Sequence, residues 1–234
     1  MTTPVVALDA GPWGMRSVPW GLSWQHGTAA YWLEATRRSG RAARLNGHRL
    51  TETLHDEVAL CVLGGFGMPY ELALSAYNEL HARVLSRTST PSAAEIASVL
   101  VEPLCVGSAV RRYRFPHQRA HRLSSALNYL SAHSQPATPL EIRDYLTGAP
   151  GIGLKTASWI VRNRWPDTQV AILDVHVLRA GVRAHVFPED LTVQSSYRHL
   201  EALFVAWADT ESIRPADLDA TIWAEEADRA RRPF

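Results

Sequence analysis

Two side chains of this sequence have the chemistry of an active site, and nineteen residues separate them. Lys155 ends the segment Pro150-Gly-Ile-Gly-Leu-Lys155, and Asp174 follows the apolar run that begins at Val170. A neutral amine can attack an electrophilic carbon, and a carboxylate stabilises positive charge that develops on a substrate. The pair therefore predicts nucleophilic catalysis.

Lys155 is the only lysine among the 24 basic residues of the chain, and the others are arginines. A guanidinium keeps its proton in proteins, so an arginine cannot replace an amine as a nucleophile. The residues from Lys155 onward have a helical pattern, and a cation in the first turn of a helix opposes the helix dipole. This position favours a catalytic amine over a lysine that merely lies at a solvated helix end.

Asp174 is open to two interpretations. It lies between an apolar run and a helical pattern, which is typical of a residue that caps the N-terminus of a helix. The second interpretation is a catalytic carboxylate aimed at a cationic transition state. The two are compatible, because capping can fix the carboxylate while one of its oxygens stays available.

Helical patterns flank the segment before Lys155, at about residues 138–146 and 155–163. Between them, Gly151 and Gly153 predict a tight hairpin whose backbone can approach a ligand closely, since glycine has no Cβ. The unpaired N–H groups at the start of the second helix would point at that ligand. An anion such as a DNA phosphate is therefore expected at the hairpin.

The segments Pro150–Ala157 and Leu173–His176 resemble the helix-hairpin-helix DNA glycosylases of the HhH-GPD superfamily. The interval between the lysine and the aspartate is most similar to the 8-oxoguanine glycosylase and AP lyase branch. The similarity is specific over about residues 138–183 and weaker elsewhere. It implies an all-α fold of two lobes in a single domain, with the helix-hairpin-helix motif at about 139–163. The lobes would contain about residues 1–90 with 188–234, and about residues 91–187.

In that family the lysine attacks C1′ of a deoxyribose and forms a Schiff base. The resemblance implies that Lys155 is this nucleophile and that Asp174 stabilises the oxocarbenium-like sugar and assists proton transfers. It implies a bifunctional enzyme of base excision repair, which removes 8-oxoguanine or a similar modified base and then cleaves the strand by β-elimination. Two alternatives stay open. The same chemistry can serve another modified base, whether a different lesion or a base of modified phage DNA, and the chain can be a non-enzymatic DNA-binding module.

The resemblance also implies which residues contact DNA. The glycine-rich break that contains Gly65 and Phe66 separates two helical patterns. It is expected at the damaged base, where a backbone carbonyl would accept a hydrogen bond from the N7–H of oxidised guanine. Each of these contacts has an alternative. The break can be an ordinary turn between helices, Trp223 can pack in the core, and His176 can have no role in DNA binding. The residues expected at the DNA backbone are Gly151, Gly153, Thr156, His176 and Arg119. Those expected in the base pocket are Gly65, Phe66, Asp219 and Trp223.

Cys61 and Cys105 are the only cysteines, and two thiolates cannot hold a four-thiolate iron–sulfur cluster. Both thiols are expected to be buried in a reducing compartment. No cofactor is expected, apart from a monovalent cation that the resemblance implies on the hairpin carbonyls of Thr147, Ala149 and Gly151.

The expected partner is double-stranded DNA containing a modified base, and the protein is expected to be a monomer. No apolar run approaches the length of a membrane span, and no signal-peptide pattern is evident at the N-terminus. The expected location is the cytoplasm, at the nucleoid if the source is prokaryotic.

The formal net charge is only +1, but the charges are unevenly distributed. Residues 103–140 contain five arginines and no acidic residue, whereas residues 211–228 contain six acids and one arginine. One face can therefore be basic and another acidic, with ordinary surface charge as the alternative for any single arginine. The five arginines are Arg111, Arg112, Arg114, Arg119 and Arg122.

Helical periods and caps predict helices along most of the chain and no strand pair. Predicted helix starts include Thr28, Thr53, Ser92 and Thr138. Residues 1–27 have no clear period, and they are expected to be extended over the core. Their anchors would be Trp13, Trp20 and Trp24.

Overall fold

The computed structural model describes residues 4–39, 48–65 and 67–231. Within these ranges the chain is mainly helical, as predicted, with two small antiparallel sheets. The strands are β1 (Val5–Asp9), β2 (Met15–Pro19), β3 (Pro103–Val106) and β4 (Ala109–Arg112). The helices are α1 (Ala29–Arg38), α2 (Leu54–Leu63), α3 (Tyr70–Leu80), α4 (Ala93–Leu100), α5 (Pro116–Ala132), α6 (Pro139–Thr147), α7 (Leu154–Arg164), α8 (Val175–Arg183), α9 (Val193–Asp209) and α10 (Pro215–Arg231).

The chain divides into two compact units. The terminal unit contains the described residues of Met1–His48 and Arg162–Phe234, and the central unit contains those of Arg49–Val161. Like the lobes expected from the sequence, this division joins an N-terminal to a C-terminal part. It differs at both bounds, since residues 49–90 fall in the central unit and residues 162–187 in the terminal unit.

Helices begin where the sequence predicts, because side chains satisfy their free N–H groups. The hydroxyl of Thr53 accepts a hydrogen bond from the N–H of Asp56 at the start of α2. Ser92 and Thr138 form capping boxes at the starts of α4 and α6 with the glutamates three residues on. Beyond α3, a π-helical turn at His81–Leu85 continues the helical segment to Leu85.

The prediction of no strand pair was wrong. β1 pairs with β2 and β3 pairs with β4, each as an antiparallel hairpin. Leu8 and Val18 are the buried residues of the first hairpin, whereas Trp13 is 46% exposed and Trp24 is 73% exposed. Aliphatic side chains therefore anchor the N-terminal segment, together with the ring of Trp13, which stacks on His199 of α9 with ring centres 5.4 Å apart. Trp24 does not anchor it.

The terminal unit packs α10 against α1, α8 and α9, with β1 against α9. Its core contains the fully buried Trp32, Trp207 and Phe187. The indole N–H of Trp207 donates to the carbonyl of Ala29 at 3.2 Å, which ties α9 to the start of α1.

The central unit packs α5 against α2 and α4, and α3 against its neighbours α2 and α4. Leucines such as Leu60 and Leu100 are completely buried there. Both cysteines belong to this unit and form no disulfide; Cys61 is buried and Cys105 is exposed. The prediction of two buried thiols is therefore correct for Cys61 alone. No helix among the described residues is long and apolar enough to cross a membrane.

Candidate active site

The predicted hairpin joins α6 to α7 within the central unit. The N–H of Ile152 donates to the carbonyl of Ala149 at 3.1 Å, and both side chains are buried, so the turn is anchored from inside. Gly151 has φ +87°, a backbone conformation that side-chain-bearing residues rarely adopt. Gly151 and Gly153 are exposed, so the backbone of the hairpin is accessible to a ligand.

Lys155 is the second residue of α7 and is exposed to solvent. No hydrogen bond or ion pair engages its amine within the described parts of the chain. The amine therefore lies free beside the hairpin. Thr156 follows it and is half-buried.

Asp174 caps α8, as one of its two interpretations predicts. A single oxygen, Oδ1, accepts the N–H groups of His176 and Val177, both at 2.9 Å. The second oxygen, Oδ2, makes no hydrogen bond with any residue that the structure describes. Capping thus fixes the carboxylate in one orientation and leaves an oxygen available, so both interpretations stay compatible. His176 lies in the first turn of α8 and is half-buried.

The apolar run before Asp174 is held by α9. The carbonyl of Ala171 accepts the hydroxyl of Tyr197 at 2.7 Å, and the N–H of Ala171 donates to Glu201 at 3.0 Å. The run is buried from Val170 to Leu173. Because the backbone on both sides of Asp174 is fixed, the position of its carboxylate depends on the packing of α8 and α9. Asp174 belongs to the terminal unit and Lys155 to the central unit.

Arg119 is not at the surface, which contradicts its prediction as a residue of the DNA backbone site. It is only 5% exposed, and its guanidinium donates to the carbonyls of Val62 at 2.9 Å and Gly65 at 2.6 Å. The hydroxyl of Tyr113 donates to the carbonyl of Leu63 at 2.6 Å. The last carbonyls of a helix lack intrahelical partners and carry partial negative charge, so buried donors are favoured there. Arg119 and Tyr113 therefore stabilise the end of α2.

The glycine-rich break follows that end and lies against α7. A Cβ built on Gly64 would lie 3.0 Å from the indole ring of Trp159, and one on Gly65 would lie 3.2 Å from Nη1 of Arg119. The break thus contacts α7, the helix that carries Lys155, at Gly64, and contacts α5 at Gly65, within the central unit. Phe66, the other predicted pocket residue of this break, lies outside the described residues.

The two predicted pocket residues of α10 differ in exposure. Asp219 is 3% exposed, and its carboxylate lies 2.9 Å from the guanidinium of Arg162, so an internal ion pair already engages it. Trp223 is 45% exposed, so core packing does not account for it. Nearby, burial raises the pKa of Asp217, but hydrogen bonds from His48 and Arg214 outweigh this effect and hold the pKa below its ordinary value.

Comparison with protein families distinguishes a DNA glycosylase from a non-enzymatic DNA-binding module. The family model for the helix-hairpin-helix 8-oxoguanine DNA glycosylases matches residues 37–213, more than half of the chain. This chain belongs to the 8-oxoguanine DNA glycosylase family. It is therefore a DNA glycosylase, and a purely DNA-binding module is excluded.

Solved structures show the same fold as this glycosylase. The 8-oxoguanine DNA glycosylase of Thermotoga maritima is 24% identical, with a TM-score of 0.61 over 84% of this chain and 96% of its own. The 8-oxoguanine glycosylase/lyase of Methanocaldococcus jannaschii, in complex with a 15mer DNA containing 8-oxoguanine, is 19% identical, with a TM-score of 0.57 over 86% of this chain and 91% of its own. A trapped endonuclease III–DNA covalent intermediate is 16% identical, with a TM-score of 0.60 over 82% of both chains. A comparison with curated proteins found no match.

The glycosylase has a further surface residue, Phe115, that no sequence motif singles out. Phe115 is 59% exposed and has φ +57°, and the guanidinium carbon of Arg114 lies 5.5 Å from the centre of its ring. It follows β4, where Arg111 and Arg112 are exposed. An exposed aromatic ring beside three surface arginines is typical of a nucleic-acid interface. The sequence Arg114-Phe-Pro116, within the acid-free stretch 103–140, is the only indication that the sequence offers.

Proposed function

We propose that this glycosylase removes 8-oxoguanine or a closely similar oxidised base from double-stranded DNA and that it is also an AP lyase. The observation that carries the proposal is the single lysine of the chain, exposed and unengaged immediately after the glycine hairpin. A phosphate-binding hairpin does not require an amine at that position, because backbone N–H groups already bind anions. A nucleophile does require one.

DNA would be bound at the hairpin and at the acid-free surface of the central unit. The N–H groups of Gly151 and Gly153 and the start of α7 suit a phosphate, and Arg111, Arg112 and Arg114 add positive charge. His176, at the start of α8, suits a second phosphate. The archaeal relative of known structure was solved with DNA containing 8-oxoguanine, which supports DNA of this kind as the substrate.

Chemistry on a base requires the nucleotide to leave the helix, at a cost of a few kcal/mol that is smallest for damaged or weakly paired bases. The exposed ring of Phe115 suits the gap that the nucleotide leaves, because aromatic side chains stack on neighbouring bases. The extruded base would meet the glycine-rich break, where a backbone carbonyl can accept the N7–H of oxidised guanine. Trp223, in the terminal unit, has an exposed ring that suits stacking on a base.

The proposed reaction proceeds in two stages. The amine of Lys155 attacks C1′ as the bond from C1′ to the base nitrogen breaks, and the base leaves with a proton. The free oxygen of Asp174 stabilises the positive charge on the sugar and then assists proton transfers. Ring opening gives a Schiff base, loss of a C2′ proton expels the 3′ phosphate, and hydrolysis releases the amine.

The hairpin carbonyls suit a monovalent cation. Those of Thr147 and Gly151 accept no backbone hydrogen bond in the described chain, whereas that of Ala149 accepts one. Carbonyl oxygens are ligands that hard cations prefer. We propose that Thr147, Ala149 and Gly151 hold such an ion, which would stabilise the turn. No cluster of acidic, histidine or cysteine ligands occurs among the residues described.

Borohydride trapping tests the proposal. Wild type and Lys155→Gln are incubated with a duplex that carries 8-oxoguanine opposite cytosine, and a second duplex carries an abasic site. We expect a covalent adduct with wild type on both duplexes and none with Lys155→Gln, at equal melting temperatures. An adduct on the abasic duplex alone would reject this base and keep the lyase chemistry, and a panel of other modified bases would follow. An adduct with neither duplex would overturn the assignment of Lys155.

A further inference from the structure

Arg122 is the residue of α5 that lies against the glycine hairpin. A Cβ built on Gly151 would lie 3.0 Å from Cγ of Arg122, 3.2 Å from its Cβ and 3.3 Å from its Cδ. The methylene groups of Arg122 therefore cover the inner side of the turn. A Cβ built on Gly153 would meet nothing within 4 Å, so the other side of the hairpin is open.

The guanidinium of Arg122 has no partner in the described part of the chain, where no hydrogen bond or ion pair engages it. No acidic residue occurs between positions 103 and 140, so Arg122 has no acidic neighbour on α5 or in the segment just before it. Arg119 is one turn away on the same helix. Burial lowers the pKa of Arg119, and the positive charge of Arg122 adds to that effect, so the two guanidinium groups repel each other.

The two arginines differ in the partners of their guanidinium groups. Arg119 is buried and donates to two carbonyls, which explains its charge within the folded protein. Arg122 is half-buried through its methylene groups alone, and any long side chain would cover Gly151 equally well. An unpaired charge next to another cation does not stabilise the fold, so the charge of Arg122 indicates an anion that binds from outside.

We propose that Arg122 binds a DNA phosphate adjacent to the phosphate that the hairpin N–H groups bind. The inference rests on the proposed function of the hairpin and adds one side chain to its phosphate contacts. Because the packed methylene groups hold its guanidinium beside the turn, Arg122 and the hairpin bind two neighbouring phosphates of one strand. A guanidinium matches phosphate geometry with two parallel hydrogen bonds. Arg122 thus replaces Arg119 as the arginine of α5 at the DNA backbone.

The test compares Arg122→Met with Arg87→Met. Methionine keeps a long apolar side chain on Gly151 and removes the charge, and Arg87 is an exposed arginine of the same unit that lies outside the acid-free stretch. Affinity for an unmodified duplex is measured over a series of salt concentrations. We expect Arg122→Met to reduce the slope of log affinity against log salt by about one, equally for several DNA sequences, because one phosphate contact is lost. Arg87→Met should leave the slope unchanged.

A slope equal to that of wild type in Arg122→Met, at an unchanged melting temperature, would overturn the proposal for Arg122. Trapping by wild type would then still support the proposed function, so the two failures are distinguishable. If Arg122→Met does not fold, wild type is tested on duplexes in which single phosphates are replaced by neutral methylphosphonates. Loss of affinity at two adjacent positions of one strand supports the proposal, and loss at one isolated position contradicts it.

Discussion

The carboxylate of Asp174 caps α8, and substitutions can separate this structural role from the catalytic role that we propose for it. Asparagine and serine also cap helices well, whereas alanine does not. We expect the free energies of unfolding of Asp174→Asn and Asp174→Ser to lie within about 0.5 kcal/mol of the wild-type value, and that of Asp174→Ala to be lower by about 1 kcal/mol. All three should lose base excision by about 100-fold or more, since the charge that stabilises the sugar is gone.

Urea denaturation and single-turnover excision of 8-oxoguanine measure the two roles independently. Excision near the wild-type rate by Asp174→Asn would show that the cap is the only role of this residue. A loss of stability in Asp174→Asn as large as in Asp174→Ala would show instead that the fold requires the charge.

Single residues were predictable to different degrees for physical reasons. Lys155 and Asp174 were evident because each stands in a local pattern, a hairpin followed by a helix and an apolar run followed by a helix. The burial of Arg119 was not evident, because an arginine that binds the end of a helix and one that binds DNA look alike in a sequence. Only the three-dimensional packing of α5 on α2 separates Arg119 from Arg122.

Among the elements, the end of α2 depends on buried donors from Tyr113 and from Arg119 of α5. In Arg119→Met, the carbonyls of Val62 and Gly65 would lose their buried partner. We expect a loss of about 2–4 kcal/mol in the free energy of unfolding, as for other buried charged hydrogen bonds. The salt dependence of DNA binding should not change.

Arg83→Met is the control for this loss. Arg83 pairs with Glu102 through two hydrogen bonds of 2.6 and 2.8 Å at the exposed surface, where an ion pair contributes little. Guanidinium denaturation of both variants checks the prediction. Equal, small effects would mean that the buried contacts of Arg119 do not stabilise the end of α2.

The two glycines of the hairpin should respond differently to alanine. Gly151 has φ +87° and a Cβ there would press on Arg122, so Gly151→Ala should lose about 1–2 kcal/mol of stability. Gly153 has open space around it, so Gly153→Ala should fold like wild type. A Cβ at position 153 would nevertheless lie between the backbone and a bound phosphate. The affinity of Gly153→Ala for DNA should therefore fall. Thermal melting and DNA titration check both variants, and unchanged affinity in Gly153→Ala would contradict phosphate binding at this backbone.

The elements themselves were largely predictable, since Thr53, Ser92 and Thr138 mark helix starts by local chemistry. The two hairpins were not predictable to the same degree. Each has strands of four or five residues, and only Leu8 and Val18 are buried in the first pair. So few alternating positions do not distinguish a strand from an extended loop.

At the scale of the whole molecule, the uneven charge distribution matters more than the net charge of +1. The acid-free stretch of the central unit supplies exposed arginines, whereas the acidic residues of 211–228 are partly used in internal ion pairs. Asp217 and Asp219 bind Arg214 and Arg162 respectively. The number of acidic residues in 211–228 therefore overstates the negative charge at the surface of the terminal unit. The low net charge of the protein does not oppose DNA binding.

The stability of the molecule should depend on pH through His26 in the terminal unit. Its ring packs on Tyr31 and Trp32, and its Nδ1 lies 3.1 Å from the guanidinium of Arg229, which donates to the neutral imidazole. Burial lowers the pKa of His26 below its ordinary value of 6.5, and the charge of Arg229 adds to the effect. Glu225, Glu226 and Arg183 are the other charged groups that act on the ring, and the two glutamates oppose the shift.

Below pH 6.5 the unfolded chain binds a proton at His26, whereas the folded chain does not until the pH reaches the lowered pKa. The unfolding free energy should therefore fall as the pH decreases from about 7 through this window, and His26 should add no further loss below the lowered pKa. Urea denaturation of wild type and His26→Phe at pH 7.5, 6 and 5 measures the effect, since phenylalanine keeps the aromatic packing and cannot titrate. We expect wild type to lose more stability than His26→Phe between the first and last pH. Parallel losses in the two proteins would assign the pH dependence to other groups. Asp217 would not be among them, because its pKa lies below 3.8 and its contribution is lost only below the pH range of this measurement.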